Sequence, residues 1–177
     1  MPTGKSTRPA ARELLFGNLW EYDPAPETAN AFIEERYGLF IDGKFVAPRT
    51  RKYFDSISPR NEQKLAEIAL AGTADIDSAY QAAATAFKYW SRLAGAERAK
   101  YLFRIARLLQ DRAREFAVAE TLDGGKPIKE SRDFDVPMAA AHFFYHAGWA
   151  DKLGYVTPGR TLEPLGVVGQ VIPWNFP

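Results

Sequence analysis

Leu165-Gly166-Val167-Val168-Gly169-Gln170-Val171-Ile172-Pro173-Trp174-Asn175-Phe176-Pro177 is the stretch that decides the fold. Residues 165–172 are apolar without strict alternation, the pattern of a strand covered on both faces in a parallel sheet. Such a strand needs neighbours, so the expected class is α/β, with residues 165–172 as its first buried parallel strand. Pro173 ends the ladder, and Pro173 and Pro177 restrict Ile172 and Phe176 to extended geometry. Trp174-Asn175-Phe176 is therefore a stiffened loop at the carboxyl end of a strand, the edge where open α/β sheets bind ligands. An amide set between two aromatic rings and two prolines suits a fixed hydrogen-bond donor aimed into a water-poor cleft. The residues alone leave a second reading open, in which Asn175 satisfies a backbone carbonyl in a buried turn.

Upstream, the pattern changes twice. Leu39-Phe40-Ile41, Asp42-Gly43 and Phe45-Val46 predict a hairpin, because Asp-Gly between two apolar runs favours a tight primed turn. A second β pair is expected over residues 53–58 and 64–70, joined by Pro59-Arg60-Asn61-Glu62. Helices follow. Thr73 is the expected N-cap of a helix in which Ile76, Ala79, Tyr80, Ala83, Phe87 and Trp90 form a buried face. A second helical stretch carries Tyr101, Leu102, Ile105, Leu108, Leu109, Ala113 and Phe116 on one face, with arginines on a solvated face. Asp123-Gly124-Gly125-Lys126-Pro127 stops it, and a further helix is expected over residues 137–153. Residues 1–37, with four prolines and amphipathic stretches at 8–20 and 27–37, read as a leader ahead of a domain spanning 38–177.

Composition narrows the function. The 177 residues are 46% hydrophobic and 25% charged, which suits an ordinary folded domain. Twenty-three Lys and Arg against 22 Asp and Glu leave a net charge of +1, so neither nucleic acid nor an acidic membrane is an expected partner. No apolar run approaches the roughly 20 residues of a spanning helix, and no secretory signal is evident. With zero Cys, the expected compartment is the cytoplasm, and thiolate nucleophiles and Cys-based zinc sites are excluded from these residues. His142 and His146 stand one helical turn apart, but aromatic neighbours and the lack of a third ligand favour helix packing, and no metal is expected. Gly4-Lys5-Ser6-Thr7 lacks the upstream glycine of a phosphate loop, and Gly166-Val167-Val168-Gly169 lacks the third glycine of a dinucleotide fingerprint.

Pro173-Trp174-Asn175-Phe176-Pro177, preceded by Glu163-Pro164-Leu165-Gly166-Val167-Val168, closely resembles the signature around the catalytic asparagine of the aldehyde dehydrogenase superfamily. The hairpin region, Phe87-Lys88-Tyr89-Trp90, Thr121-Leu122-Asp123-Gly124-Gly125-Lys126-Pro127 and Tyr145-His146-Ala147-Gly148-Trp149-Ala150-Asp151-Lys152 agree with it in order, over residues 38–177. Arg12-Glu13-Leu14-Leu15-Phe16 and Tyr22-Asp23-Pro24-Ala25-Pro26-Glu27 resemble the family 16 branch. The resemblance implies the N-terminal part of a Rossmann-type NAD-binding domain, its sheet incomplete in this chain. It also implies NAD- or NADP-dependent oxidation of an aldehyde to a carboxylic acid through a Cys thiohemiacetal. By position, Asn175 matches the oxyanion-stabilising donor. Ile172, Pro173 and Trp174 match the segment against the cofactor, and Phe176 matches a wall of the substrate tunnel. Some members hold a monovalent cation near the positions of Ile57 and Asp123.

Departures from the family matter equally. The family's nucleophile, general base and cofactor-binding lysine all follow the asparagine motif, and no Cys occurs among these residues. The chain is therefore expected to be an N-terminal fragment, inactive by itself. The stretch 154–165 is shorter than in many relatives, which implies a homo-oligomer that is a dimer rather than a tetramer. Two alternatives stand beside this reading: a non-catalytic interaction module derived from the same fold, and a helical binding domain without enzymatic role.

Overall fold

A computed structural model describes residues 31–176. The leader segment 8–20, residues 27–30 of the stretch 27–37, the motifs resembling the family 16 branch, Gly4-Lys5-Ser6-Thr7 and Pro177 lie outside the described residues.

The Asp42-Gly43 signal produces the hairpin it predicts. Strands β2 (Leu39–Ile41) and β3 (Lys44–Val46) pair antiparallel, with Phe40 opposite Phe45. Asp42 and Gly43 both take positive φ, 53° and 72°, as a primed two-residue turn requires. The second pair also forms, as β4 (Tyr53–Ile57) and β5 (Lys64–Ala69), with a bulge at Ser56/Ile57. Buried Ser58 closes the connecting turn: its N–H donates to the Gln63 carbonyl at 2.9 Å, and its carbonyl accepts from Glu62 N–H at 2.9 Å. A two-residue strand that the periodicity does not reveal, β1 (Arg36–Tyr37), runs parallel to β5, giving the sheet order β1-β5-β4. Side chains hold it there. The Arg36 guanidinium donates to Glu67 at 2.6 Å and lies 4.6 Å from the Tyr53 ring centroid.

Helix α1 (Thr73–Trp90) begins one residue earlier than expected, with Gly72 rather than Thr73 at the N-cap. Asp75 supplies the capping oxygens. Its buried carboxylate accepts from Gly72 N–H at 2.9 Å and from Arg49 N–H at 3.1 Å, and these two bonds, in that order, hold its pKa below the usual carboxylate range. The expected buried face of α1 is not buried among the described residues: Ile76 is 60% exposed and Tyr80 54%. A stripe at helical spacing reports what a helix can bury, and the described elements place little against it.

Much of the core lies instead where α2 (Gly95–Asp111) packs against α5 (Val136–Trp149), with Ala99 and Ala106 of α2 and Ala140 and Ala147 of α5 buried. Small side chains allow the close approach. A Cβ at Gly95 would lie 2.8 Å from the Asp151 Cα. Aromatic contacts reinforce the packing, Trp90 against Tyr101 at 5.3 Å and Phe103 against Phe144 at 6.1 Å. The expected single helical stretch is two helices: Arg112, at φ −108° and ψ 19°, separates α2 from α3 (Ala113–Gly124). Gly125, at φ 72°, then ends α3 in the left-handed conformation.

Short α4 (Ile128–Glu130) leads into a π-helical turn at Ser131–Asp135 and on into α5. Pro137 accounts for the wide turn, because its ring would clash with the carbonyl four residues back in a regular α-helix. The widened ladder is visible where Val136 N–H donates to the Ser131 carbonyl. After α5 comes one short helix, α6 (Leu153–Val156).

The class is α/β, as expected, but the strand expected over residues 165–172 does not form among the described residues. Leu165 and Val171 are 97% and 99% exposed. A strand buried on both faces exists only through its neighbours, and residues 31–176 present none to this segment.

Candidate functional site

The proline-bracketed loop forms a turn, as its local restraints require. Trp174 and Asn175 occupy its corner, and Phe176 N–H donates to the Pro173 carbonyl at 3.4 Å. Asn175 is exposed, and its carboxamide makes no hydrogen bond among the described residues. Ile172 and Pro173 precede it on exposed backbone, and Trp174 is 91% exposed.

Phe176 faces a charged group. Its ring centroid lies 4.1 Å from the Lys126 Nζ, within cation–π range. Lys126 is fixed in turn by Asp135 Oδ2 at 2.6 Å and Glu120 Oε1 at 2.8 Å. All three side chains are largely shielded, at 16%, 13% and 17% exposure respectively. Hydrogen bonds to Asp135 first and Glu120 second push the lysine pKa up, so the ammonium is firmly charged at neutral pH. Three local features build this cluster. Helix α3 carries Glu120, the left-handed Gly125 turns the chain so that Lys126 folds back, and the π turn ends on Asp135.

Behind the cluster, between the three-stranded sheet and α3 and α5, lies a cavity of about 1000 Å³. Phe176, Phe134, Met138 and Ile68 line it, so its wall is mainly apolar. Ile57 and Asp123 share that wall, and Ser56 Oγ donates to the Asp123 carboxylate. His142 also faces the cavity, whereas His146 packs edge-on against Tyr145 at 5.3 Å. Among the described residues no three His, Cys, Asp or Glu side chains gather as a metal site, and no helix is long and apolar enough to cross a membrane.

The structure thus places Ile172, Pro173, Trp174, Asn175 and Phe176 on one exposed turn and brings Phe176 alone to the cavity. Sequence reasoning missed the Glu120–Lys126–Asp135 cluster and the cavity positions Phe134 and Met138. Only the Gly125-Lys126-Pro127 helix stop hinted that Lys126 occupies a sharply turned position.

Comparison with known proteins follows the same residues. The model of the aldehyde dehydrogenase family matches residues 45–177. An acetaldehyde dehydrogenase of Pseudomonas aeruginosa is 41% identical over 163 residues, covering 86% of this chain and 32% of the relative. Aldehyde dehydrogenase B of Escherichia coli is 40% identical over 153 residues, covering 82% of this chain and 30% of the relative. The solved structure of the P. syringae indole-3-acetaldehyde dehydrogenase with NAD+ and IAA superposes with a TM-score of 0.76 at 39% identity. It covers 85% of this chain and 32% of that one. The chain spans about a third of the length of the curated relatives it matches.

Proposed function

The chain belongs to the aldehyde dehydrogenase family, and from that premise we propose that it serves an NAD(P)-dependent enzyme that oxidises an aldehyde to a carboxylic acid. Residues 38–177 are read as the N-terminal part of the NAD-binding domain, and residues 1–37 as its leader. The family match leaves no place for a helical domain of unrelated ancestry.

Asn175 carries the chemistry available here. Nucleophilic attack on an aldehyde turns the carbonyl oxygen into an anion, and a donor preorganised for that anion lowers the barrier by about 3–4 kcal/mol, on the order of 100- to 1,000-fold in rate. One observation supports this role above the rest: the Asn175 carboxamide has no hydrogen-bond partner among the described residues, so its N–H is not committed to the protein's own backbone. Its neighbour Phe176 lines an apolar cavity that suits the hydrocarbon part of an aldehyde. The nucleophile is not supplied by this chain, which contains no Cys and is read as inactive by itself.

Ile172, Pro173 and Trp174 fit the cofactor, since they stand exposed beside the donor. When bound, a nicotinamide accepts the hydride that the aldehyde carbon loses. Solved relatives hold NAD or NAD+, which supports NAD as the cofactor. A cytoplasmic dimer that recruits neither nucleic acid nor membrane is the accompanying reading. The short, mostly irregular stretch from 154 to 165, which offers little for a tetramer-forming sheet, supports the dimer.

Asn175→Ala in the full-length natural protein tests the assignment. kcat/KM for aldehyde should fall roughly 100- to 1,000-fold while NAD affinity is retained. Unchanged turnover would remove Asn175 from the mechanism.

A further inference from the structure

We propose that Lys126 is a positioning residue for the Asn175 turn: clamped between Glu120 and Asp135, its ammonium holds the Phe176 ring and with it the loop that aims the carboxamide. The inference rests on the oxyanion role of Asn175 and adds what fixes that residue in place.

The turn has few other restraints. Residues 165–172 join no ladder, and the turn's own hydrogen bond, Phe176 N–H to Pro173 carbonyl, is long at 3.4 Å. Among the described residues, no hydrogen bond joins residues 161–176 to the rest of the chain. The Phe176 ring, 4.1 Å from the Lys126 cation, ties the turn to the helices. The lysine is well suited to be an anchor. An exposed lysine is a flexible stem, whereas this one is drawn to two carboxylates from separate elements, α3 and the π turn, and is only 16% exposed. Ring and carboxamide belong to adjacent residues, Phe176 and Asn175, so a loosened ring releases the donor from its aim. A donor misplaced by about 1 Å is enough to lower turnover by up to ~100-fold.

The test uses the full-length natural protein in a double-mutant cycle. Lys126→Met should lower kcat roughly tenfold to 100-fold with KM for NAD unchanged. Lys126→Arg, which keeps a cation against the ring, should restore most of that loss. In an Asn175→Ala background the same Lys126→Met change should cost less than about twofold, because residues acting through one another are non-additive. Equal losses in both backgrounds, or wild-type kcat in Lys126→Met, would overturn the proposal. Should Lys126→Met fail to fold because Glu120 and Asp135 lose their counter-ion, the neutral set Glu120→Gln, Lys126→Met, Asp135→Asn carries the same cycle. If Asn175→Ala proves silent, the oxyanion reading fails independently. The anchor is then judged by hydrogen exchange of the peptide spanning 171–176. Faster exchange in the neutral set supports the contact, and unchanged exchange refutes it.

Discussion

Replacing Gly125 with alanine probes the joint between α3 and the β4–β5 turn, and Gly43 supplies a matched control. Both glycines sit at φ 72°, so the left-handed penalty for an added Cβ, about 1–2 kcal/mol, is common to the two sites. Their surroundings differ. A Cβ at Gly43 meets nothing within 4 Å, whereas one at Gly125 would stand 2.6 Å from Pro59 Cγ and 3.3 Å from Pro59 Cβ. Pro59 is a rigid ring and cannot swing aside, so the joint must open, an overpacking cost of about 1–3 kcal/mol. Gly43→Ala is therefore expected to destabilise by about 1 kcal/mol after allowing for the stiffened unfolded chain. Gly125→Ala should destabilise by about 2–4 kcal/mol. Urea unfolding reads the difference: with m near 1–3 kcal/mol/M, the two midpoints should separate by roughly 1 M at unchanged m. Equal midpoints would refute the reasoning, because they would mean that α3 does not close against Pro59.

Two further outcomes follow from the packing and capping. Gly95→Ala should lower the urea midpoint although its φ is not left-handed, since the new Cβ would press on the Asp151 Cα at 2.8 Å; a change below about 1 kcal/mol would show that α2 and the end of α5 are not in close contact. Asp75 has a folded pKa depressed by the Gly72 and Arg49 N–H groups, so its contribution is present above the unfolded value and is lost as pH falls through the folded one. The gap in urea midpoint between wild type and Asp75→Asn should therefore be widest near neutrality and shrink on acidification, and a gap independent of pH would exclude the carboxylate as the cause.

What the sequence made legible was what short-range chemistry decides. Asp42-Gly43 fixes its turn through positive φ, Gly125 ends its helix for the same reason, and Pro173 confines the Asn175 turn without help from distant residues. Tertiary partners decided the remainder. The stripe of Ile76 and Tyr80 was expected to be buried and the apolar run 165–172 to form a buried strand, and neither does so among the described residues, because burial needs a neighbour that those residues do not provide. Strand β1 is two residues long and owes its place to Arg36, Glu67 and Tyr53, which no periodicity reports. The Glu120–Lys126–Asp135 cluster was hidden for a related reason: a left-handed glycine and a π turn lie between its members, so their spacing matches no helical or strand period.

That π turn at Ser131–Asp135 also sets the phase of everything after it. Each residue of an α-helix advances the azimuth by about 100°. Phe134 and Met138, which line one cavity, lie on opposite sides of the point where the wide turn gives way to α5. Dropping one residue from the turn would rotate Met138, His142 and the buried alanines of α5 by more than a quarter of a revolution. Insertions and deletions in these five residues would thus act as a crank on the whole downstream helix, and their length is constrained more tightly than their side chains.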